Sequence, residues 1–244
     1  MSEVWIQPTG GALGADVHGV DLSKPMSDAA FARIAEAWGE HLVLRFSGQK
    51  IDDHMLMKFS TRFGELDRVP IATAGFDRGN SGLAKDAEPW VAVISSVVEN
   101  GKPIGGLGSY ELVWHTDMSY NPLPPRASLL YAMEVPPDGG NTGFLNMYTA
   151  YETLAPELQR AIEGRTCIHD SSRNSAGELR KGFQRTLDVR RTPGAVHPLV
   201  RLHPVTSSPS AFRNRCSARR LRVRTFTLDI PSSAAVVCTS RSSQ

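Results

Sequence analysis

A mainly β fold with flanking helices, of the α+β class, is what this 244-residue sequence predicts, on three observations. Short apolar or β-branched segments bounded by Gly, Pro, Asn and Asp recur along the chain, as strands do. Only three segments show the i, i+3, i+4 apolar spacing of a surface helix. No internal repeat or heptad run is present, which sets aside solenoids and coiled coils. Short strands that outnumber helices favour an antiparallel β architecture.

The elements follow in order. After Pro25, Ser27 has the side chain of an N-cap, and Phe31, Ile34, Ala35, Trp38 and Leu42 recur at helical spacing, so a helix is predicted to about His41. The run Leu42 to Phe46 reads as a buried strand, and Ser47 and Gly48 turn the chain. A second helix starts near Asp52, presents Leu56, Phe59 and Phe63 on one face, and stops at Gly64. From Ile71 to Pro89 the chain is rich in Gly, Ala, Asp and Asn without a period, which marks a long loop. Trp90 to Val98 reads as a strong strand, followed by a Gly-rich connection from Glu99 to Gly108. Strand-like segments lie around Val113, from Ala127 to Val135, and from Gly143 to Met147. A third helix is predicted from about Thr149 to Glu163, burying Tyr151, Leu154, Leu158 and Ile162.

Charge divides the chain unequally. The formal net charge is +2, but residues 1–206 carry a net −4, whereas residues 207–244 carry seven Arg, no Lys and the single acid Asp229. That tail also holds nine Ser and two of the three Cys, and none of the chain's Gly, His or Trp. It is expected to be disordered or poorly packed. An odd cysteine count argues against a disulfide framework and suits a reducing compartment. No apolar run approaches the ~18 residues of a membrane span, and the N-terminus MSEVWIQPTGG lacks the features of a secretory signal. A cytoplasmic location without a membrane partner is expected.

The chemistry lies in Trp114 to Tyr120, WHTDMSY. Side chains alternate along extended chain, so His115 and Asp117 point one way and Thr116 the other. An imidazole and a carboxylate so aimed supply two members of the 2-His-1-carboxylate triad that suits non-haem Fe(II) and leaves positions open for substrate and O2. Composition alone supplies roughly 0.4 His-x-Asp pairs in this chain, so the tripeptide needs support from its surroundings.

The surroundings provide it. The segments GALGADVHGVDLSKPMSD, HLVLRF, FSTRFGEL, WHTDMSYNPLPPRASLLYAMEVPPDGGNTGFLNMYTAYETL and HPLVRLHPVT, in order over residues 8–206, resemble the taurine dioxygenase / 2,4-dichlorophenoxyacetate dioxygenase (TauD/TfdA) family of Fe(II)- and 2-oxoglutarate-dependent enzymes. The resemblance implies a double-stranded β-helix, or jelly roll, with the metal at one mouth. It implies that His115 and Asp117 are the first two iron ligands and that Thr142, in GGNT, hydrogen-bonds 2-oxoglutarate, a task its hydroxyl suits. The implied reaction couples decarboxylation of 2-oxoglutarate to succinate with O2-dependent hydroxylation of a small organic acid.

The family's distal His and its 2-oxoglutarate-gripping Arg lie C-terminal to the HPLVRLHP segment, where an Arg fork would meet a carboxylate bidentately. Residues 207–244 contain no histidine, so the resemblance implies a domain incomplete at its C-terminal strands over residues 1–206. A reading-frame shift near codon 206 is the hypothesis that would account for the Arg, Ser and Ala excess of the tail. His197 and His203 would share a face on a strand, but each precedes a proline, and a structural role suits them and His169 better than a ligand role. On ungapped alignment Val69 stands where taurine enzymes carry a sulfonate-holding histidine, which argues against taurine itself. The segment Ala72 to Pro89 is expected over the mouth of the site.

Two other functions compete. A non-catalytic remnant is favoured by the missing histidine. Nucleic-acid binding through the basic tail is disfavoured, because the run matches no recognised RNA or DNA module. KPIGGLG lacks the spacing of a nucleotide-binding loop. A homo-oligomer is compatible with the sequence.

Overall fold

The structure, a computed structural model, describes residues 3–67, 90–91, 94–95, 98–103, 106–107, 114–133, 142–173, 179–180, 183–184, 188–202, 209–211 and 234–239. The segment Ile71 to Pro89, Val69, Val113 and His203 lie outside the described residues.

A five-stranded sheet forms the centre. Its strands are β1 (Trp5–Pro8), β2 (Ala15–His18), β3 (Leu44–Ser47), β8 (Ala127–Ala132) and β13 (Ala234–Thr239), in the spatial order β1-β2-β3-β13-β8. The intervening short strands are β4 (Ile94–Ser95), β5 (Val98–Glu99), β6 (Lys102–Pro103) and β7 (Gly106–Leu107). Two hairpin-like pairs complete the described strands, β9 (Thr166–Ile168) with β10 (Val196–Pro198), and β11 (Val200–Leu202) with β12 (Pro209–Ala211), both antiparallel. Both β12 and β13 belong to the tail that composition set apart from the domain, and the backbone of β13 pairs with β3 and β8.

The central sheet is mixed, which corrects the expectation of an antiparallel architecture. Only β1 and β2 pair antiparallel there, whereas β2–β3, β3–β13 and β13–β8 are parallel. For β2 and β3 the cause is the helix α1 (Asp28–His41) inserted between them. A parallel pair needs a crossover of a dozen or more residues, and a helix supplies one.

Local sequence explains α1 and its neighbour α2 (Asp53–Ser60). The Ser27 hydroxyl accepts from the Ala30 N–H at 3.2 Å, and the Asp52 carboxylate accepts from the Met55 N–H at 2.8 Å. Each satisfies a donor that the first helical turn leaves without an intrahelical acceptor. At the end of α1, Leu42 takes φ 68° and its N–H returns to the Trp38 carbonyl. That left-handed residue breaks the helix and starts the chain toward β3.

Helix and sheet meet in one core. Leu44 and Phe46 of β3 point inward while Arg45 and Ser47 point out. Ala15 and Val17 of β2, Ile34 and Ala37 of α1, and Phe59 and Phe63 around α2 pack with them. Phe59 meets Phe46 edge to face at 5.6 Å and Phe63 at 5.4 Å, and Phe63 meets Trp38 at 5.4 Å. Aromatic rings favour this arrangement because a positive edge meets a negative face. Gln49 is the polar residue set into this core: its carbonyl oxygen accepts from Leu22 N–H at 2.8 Å, and its amide donates to the carbonyls of Val20 and Ser47. Burial of the amide is tolerated because both its ends are bonded.

The predicted third helix is two helices, α3 (Met147–Glu152) and α4 (Pro156–Ile162). Pro156 cannot donate to a continuing helix, so the chain breaks before it and restarts with proline in the first turn. Leu158 is exposed rather than buried. The expected strand from Gly143 to Met147 is irregular chain that ends in the cap of α3, with Asn146 accepting from the N–H groups of Tyr148 and Thr149. The Asn146 amide also donates to the Ala12 carbonyl at 2.7 Å, which ties α3 to the β1–β2 connection. Among the described residues no helix is long and apolar enough to cross a membrane.

Phe46 is fully buried at the centre of this cluster. Replacing it by alanine should destabilise the protein by about 3–5 kcal/mol, through lost transfer energy and an unfilled cavity. Chemical denaturation with unchanged slope and a lowered midpoint is the expected result.

Candidate metal centre

The WHTDMSY segment is irregular chain leading into a turn at Asp117 to Tyr120, not the strand the alternation first suggests. The alternation of faces nonetheless holds. Thr116 is 6% exposed and faces inward, while the side chains of His115 and Asp117 are 24% and 56% exposed. The reason is local: one buried side chain between two outward ones suffices, without a ladder partner.

The structure brings His115 and Asp117 together. The His115 Nε2 and the Asp117 Oδ1 stand 3.2 Å apart. Two donors each about 2.1 Å from one first-row metal, at a right angle, stand about 3 Å apart. The pair therefore has the spacing of two cis ligands. Ser128, on β8, donates its hydroxyl to the other carboxylate oxygen, Oδ2, at 3.1 Å. Ser128 points this way because its neighbours Leu129 and Tyr131 turn to the core on the opposite face of the strand. Sequence reasoning missed Ser128, because Leu130 and Ala132 on the same face of ASLLYA leave no alternation to mark it.

Desolvation pushes the Asp117 carboxyl up, but the His115 hydrogen bond and charge, with the Ser128 hydroxyl, outweigh it and hold the carboxyl below its ordinary range. Asp117 is thus both closely surrounded by protein and open to solvent on one side, which suits an ionised ligand facing an open coordination position. Burial pushes the nearby Tyr120 phenol up, opposed by the Arg180 guanidinium, which lies 5.1 Å from the ring centre; the Asp117 charge raises it further.

Thr142 is exposed and lies in irregular chain ahead of α3. No described contact joins it to His115 or Asp117. Among the described residues no group of three His, Cys, Asp or Glu side chains is placed to hold a metal.

The two described histidines considered as substitutes have other work. His197, on β10 and 5% exposed, donates from Nε2 to the carbonyls of Ser119 and Asn121, both at 3.0 Å. His169 is 1% exposed, with its Nε2 3.2 Å from Cys167 Sγ and its ring edge-on to His197 at 4.9 Å. Gly194 makes this close packing feasible. It takes φ 130°, and a Cβ there would collide with the His169 carbonyl.

A helix-flanked sheet that presents an imidazole and a carboxylate at cis spacing, backed by a hydroxyl, could contribute two ligands to a metal ion. The family described as "Taurine catabolism dioxygenase TauD, TfdA family" matches residues 5–238, and the chain belongs to that family of α-ketoglutarate-dependent dioxygenases, oxidoreductases that use Fe(II) and 2-oxoglutarate. The match extends past residue 206, where the resemblance read from the sequence ends. Among curated relatives, pentalenolactone F synthase of Streptomyces avermitilis is 29% identical over 93% of this chain and 75% of its own length. The (S)-phenoxypropionate/alpha-ketoglutarate-dioxygenase of Delftia acidovorans is also 29% identical, over 86% of this chain and 70% of its own. Among solved structures, AAD-2 in complex with Mn(II) and N-oxalylglycine is 26% identical, with a TM-score of 0.58 over 86% of this chain and 68% of that one.

Burial holds the His169 imidazole well below its ordinary range, at about 3, aided by the neighbouring His197 and Arg201. A depressed histidine makes the unfolded chain bind a proton that the folded chain refuses. Its contribution is therefore present above about pH 6.5 and lost as pH falls toward 3. Between pH 7 and pH 5 the unfolding free energy should drop by up to about 2 kcal/mol from this group. Denaturant titrations at the two pH values measure it, and His169→Gln should shrink the difference.

Proposed function

We propose that this chain is an Fe(II)- and 2-oxoglutarate-dependent dioxygenase that hydroxylates a small organic acid, with His115 and Asp117 as metal ligands and Thr142 as a hydrogen-bond partner of 2-oxoglutarate. The observation that carries it is the 3.2 Å approach of the His115 Nε2 and the Asp117 Oδ1 in a chain that belongs to this family. A solved relative binds N-oxalylglycine, which has the skeleton of 2-oxoglutarate with an N–H in place of one methylene. Bound Fe(II) and 2-oxoglutarate would supply the O2 chemistry that hydroxylates a C–H bond.

The chain's own residues do the rest. The Asp117 carboxylate, kept ionised by His115 and Ser128, offers Oδ1 to the metal while the Ser128 hydroxyl holds Oδ2. This fixes which oxygen faces the open side. His115 would offer the same Nε2 once the proton it shares with Asp117 Oδ1 has left, so a metal would take the place of that hydrogen bond. Thr116, turned inward, keeps both ligands pointing outward.

A non-catalytic form is the second reading. It is favoured by the lack of any histidine in residues 207–244 and of a third ligand beside the pair among the described residues.

Anaerobic Fe(II) titration, followed by assay of succinate formed from 2-oxoglutarate, decides between them. Stoichiometric iron with succinate release supports the enzyme, and a folded protein that retains no iron supports the second reading. His115→Ala and Asp117→Ala should each abolish iron retention. Ser128→Ala should weaken it by about 10- to 100-fold, the usual size of a lost partner to a metal ligand, with Ser128→Thr close to the parent.

A further inference from the structure

Three successive carbonyls follow the ligand pair, those of Ser119, Tyr120 and Asn121, and one short piece of chain holds all three. The Ala195 N–H donates to the Tyr120 carbonyl at 2.9 Å. Two residues on, the His197 Nε2 stands 3.0 Å from both the Ser119 and the Asn121 carbonyls. Carbonyls only accept, so the proton sits on Nε2 and is shared between them. Ser119 is fully buried and His197 nearly so, hence water is in no position to replace the imidazole.

The turn so held is not a relaxed one. Met118, directly after Asp117, takes φ 50°, which is uncommon for a residue other than glycine. Such a conformation persists where surrounding contacts over-determine it. Besides the turn's own Asn121 N–H to Met118 carbonyl bond of 2.9 Å, residues 195–197 supply the three hydrogen bonds to its carbonyls just described. The clamp is itself supported from behind. The His169 N–H donates to the Ala195 carbonyl at 2.8 Å, and the Cys167–His197 register of β9 and β10 sets the His169 ring against that of His197.

We infer that His197 is a positioning residue: through its two hydrogen bonds to the Ser119 and Asn121 carbonyls it locks the turn after Asp117 and so sets the His115–Asp117 pair at metal-binding spacing. Its link to metal rests on the assignment of that pair as iron ligands, whereas its link to the turn does not. The essential property is a donor at the ε position, not the imidazole ring. Glutamine places an amide nitrogen with two hydrogens at the same reach, leucine fills the volume without a donor, and asparagine is too short.

The test compares the full chain with His197→Gln and His197→Leu in two measurements. The first is amide hydrogen exchange of the 114–121 segment without metal. Exchange there should rise at least about tenfold in the leucine variant, a loss of one hydrogen bond's protection, and return close to the parent in the glutamine variant. The second is anaerobic Co(II) affinity read from the visible d–d absorption, expected to fall about 10- to 100-fold for leucine and to be restored by glutamine. Unchanged exchange in a folded leucine variant, or equal loss in both variants, overturns the positioning role. Should leucine prevent folding, asparagine replaces it under the same criteria. If the parent binds no Co(II), the ligand assignment of His115 and Asp117 fails, and the clamp still stands or falls on the exchange result.

Discussion

The seating of Leu44 and Phe46 of β3 under α1 and α2 is the contact on which the remainder of the described structure depends. These two side chains are fully buried, and they meet Ile34 from one helix and Phe59 from the next. Full burial of a Leu or Phe side chain is worth roughly 1.5–3 kcal/mol, so this small group outweighs any surface ion pair. The bidentate Asp16–Arg45 pair on the outer face of β2 and β3 is exposed and contributes little by comparison. Leu129 and Tyr131 of β8 pack against the same cluster. That packing settles which face of β8 is inside, and Ser128 consequently emerges on the face where Asp117 waits.

The site therefore inherits its order from the core through one strand and from the 195–197 segment through backbone carbonyls. Neither route involves a long side chain. The Ser128 hydroxyl and the His197 imidazole both act within 3.1 Å of their targets, so each transmits position with little slack. Electrostatics completes the arrangement. Asp117 is kept ionised by its immediate partners, while His169, behind His197, is kept neutral by burial. A charged His169 would place a cation against the His197 ring in a buried region.

Much of the fold's beginning was legible because its signals are local. Ser27 and Asp52 announce their helices through hydrogen bonds within four residues, and the observed starts follow them directly. Leu44 and Phe46 announce a half-buried strand by alternation. The errors have equally specific causes. Periodicity carried a helix through Pro156 because spacing counts apolar residues and ignores a missing N–H. Within the run Trp90 to Val98 expected as a strand, the described residues Ile94–Ser95 and Val98 are extended. The antiparallel expectation failed because pairing direction depends on what crosses between strands, here α1.

By itself, the sequence determined the imidazole and carboxylate of the candidate site, their two-residue spacing and the family, since these are properties of residue identity and order along the chain. It also determined that residues 207–244 contain no histidine. Only the tertiary structure decided that His115 and Asp117 come within 3.2 Å, that Ser128 backs the carboxylate, and that His197 serves the turn rather than the metal. The last two facts join residues 11 and 78 positions apart. Separations of that length are closed by packing of the whole core, which no local pattern of side chains encodes.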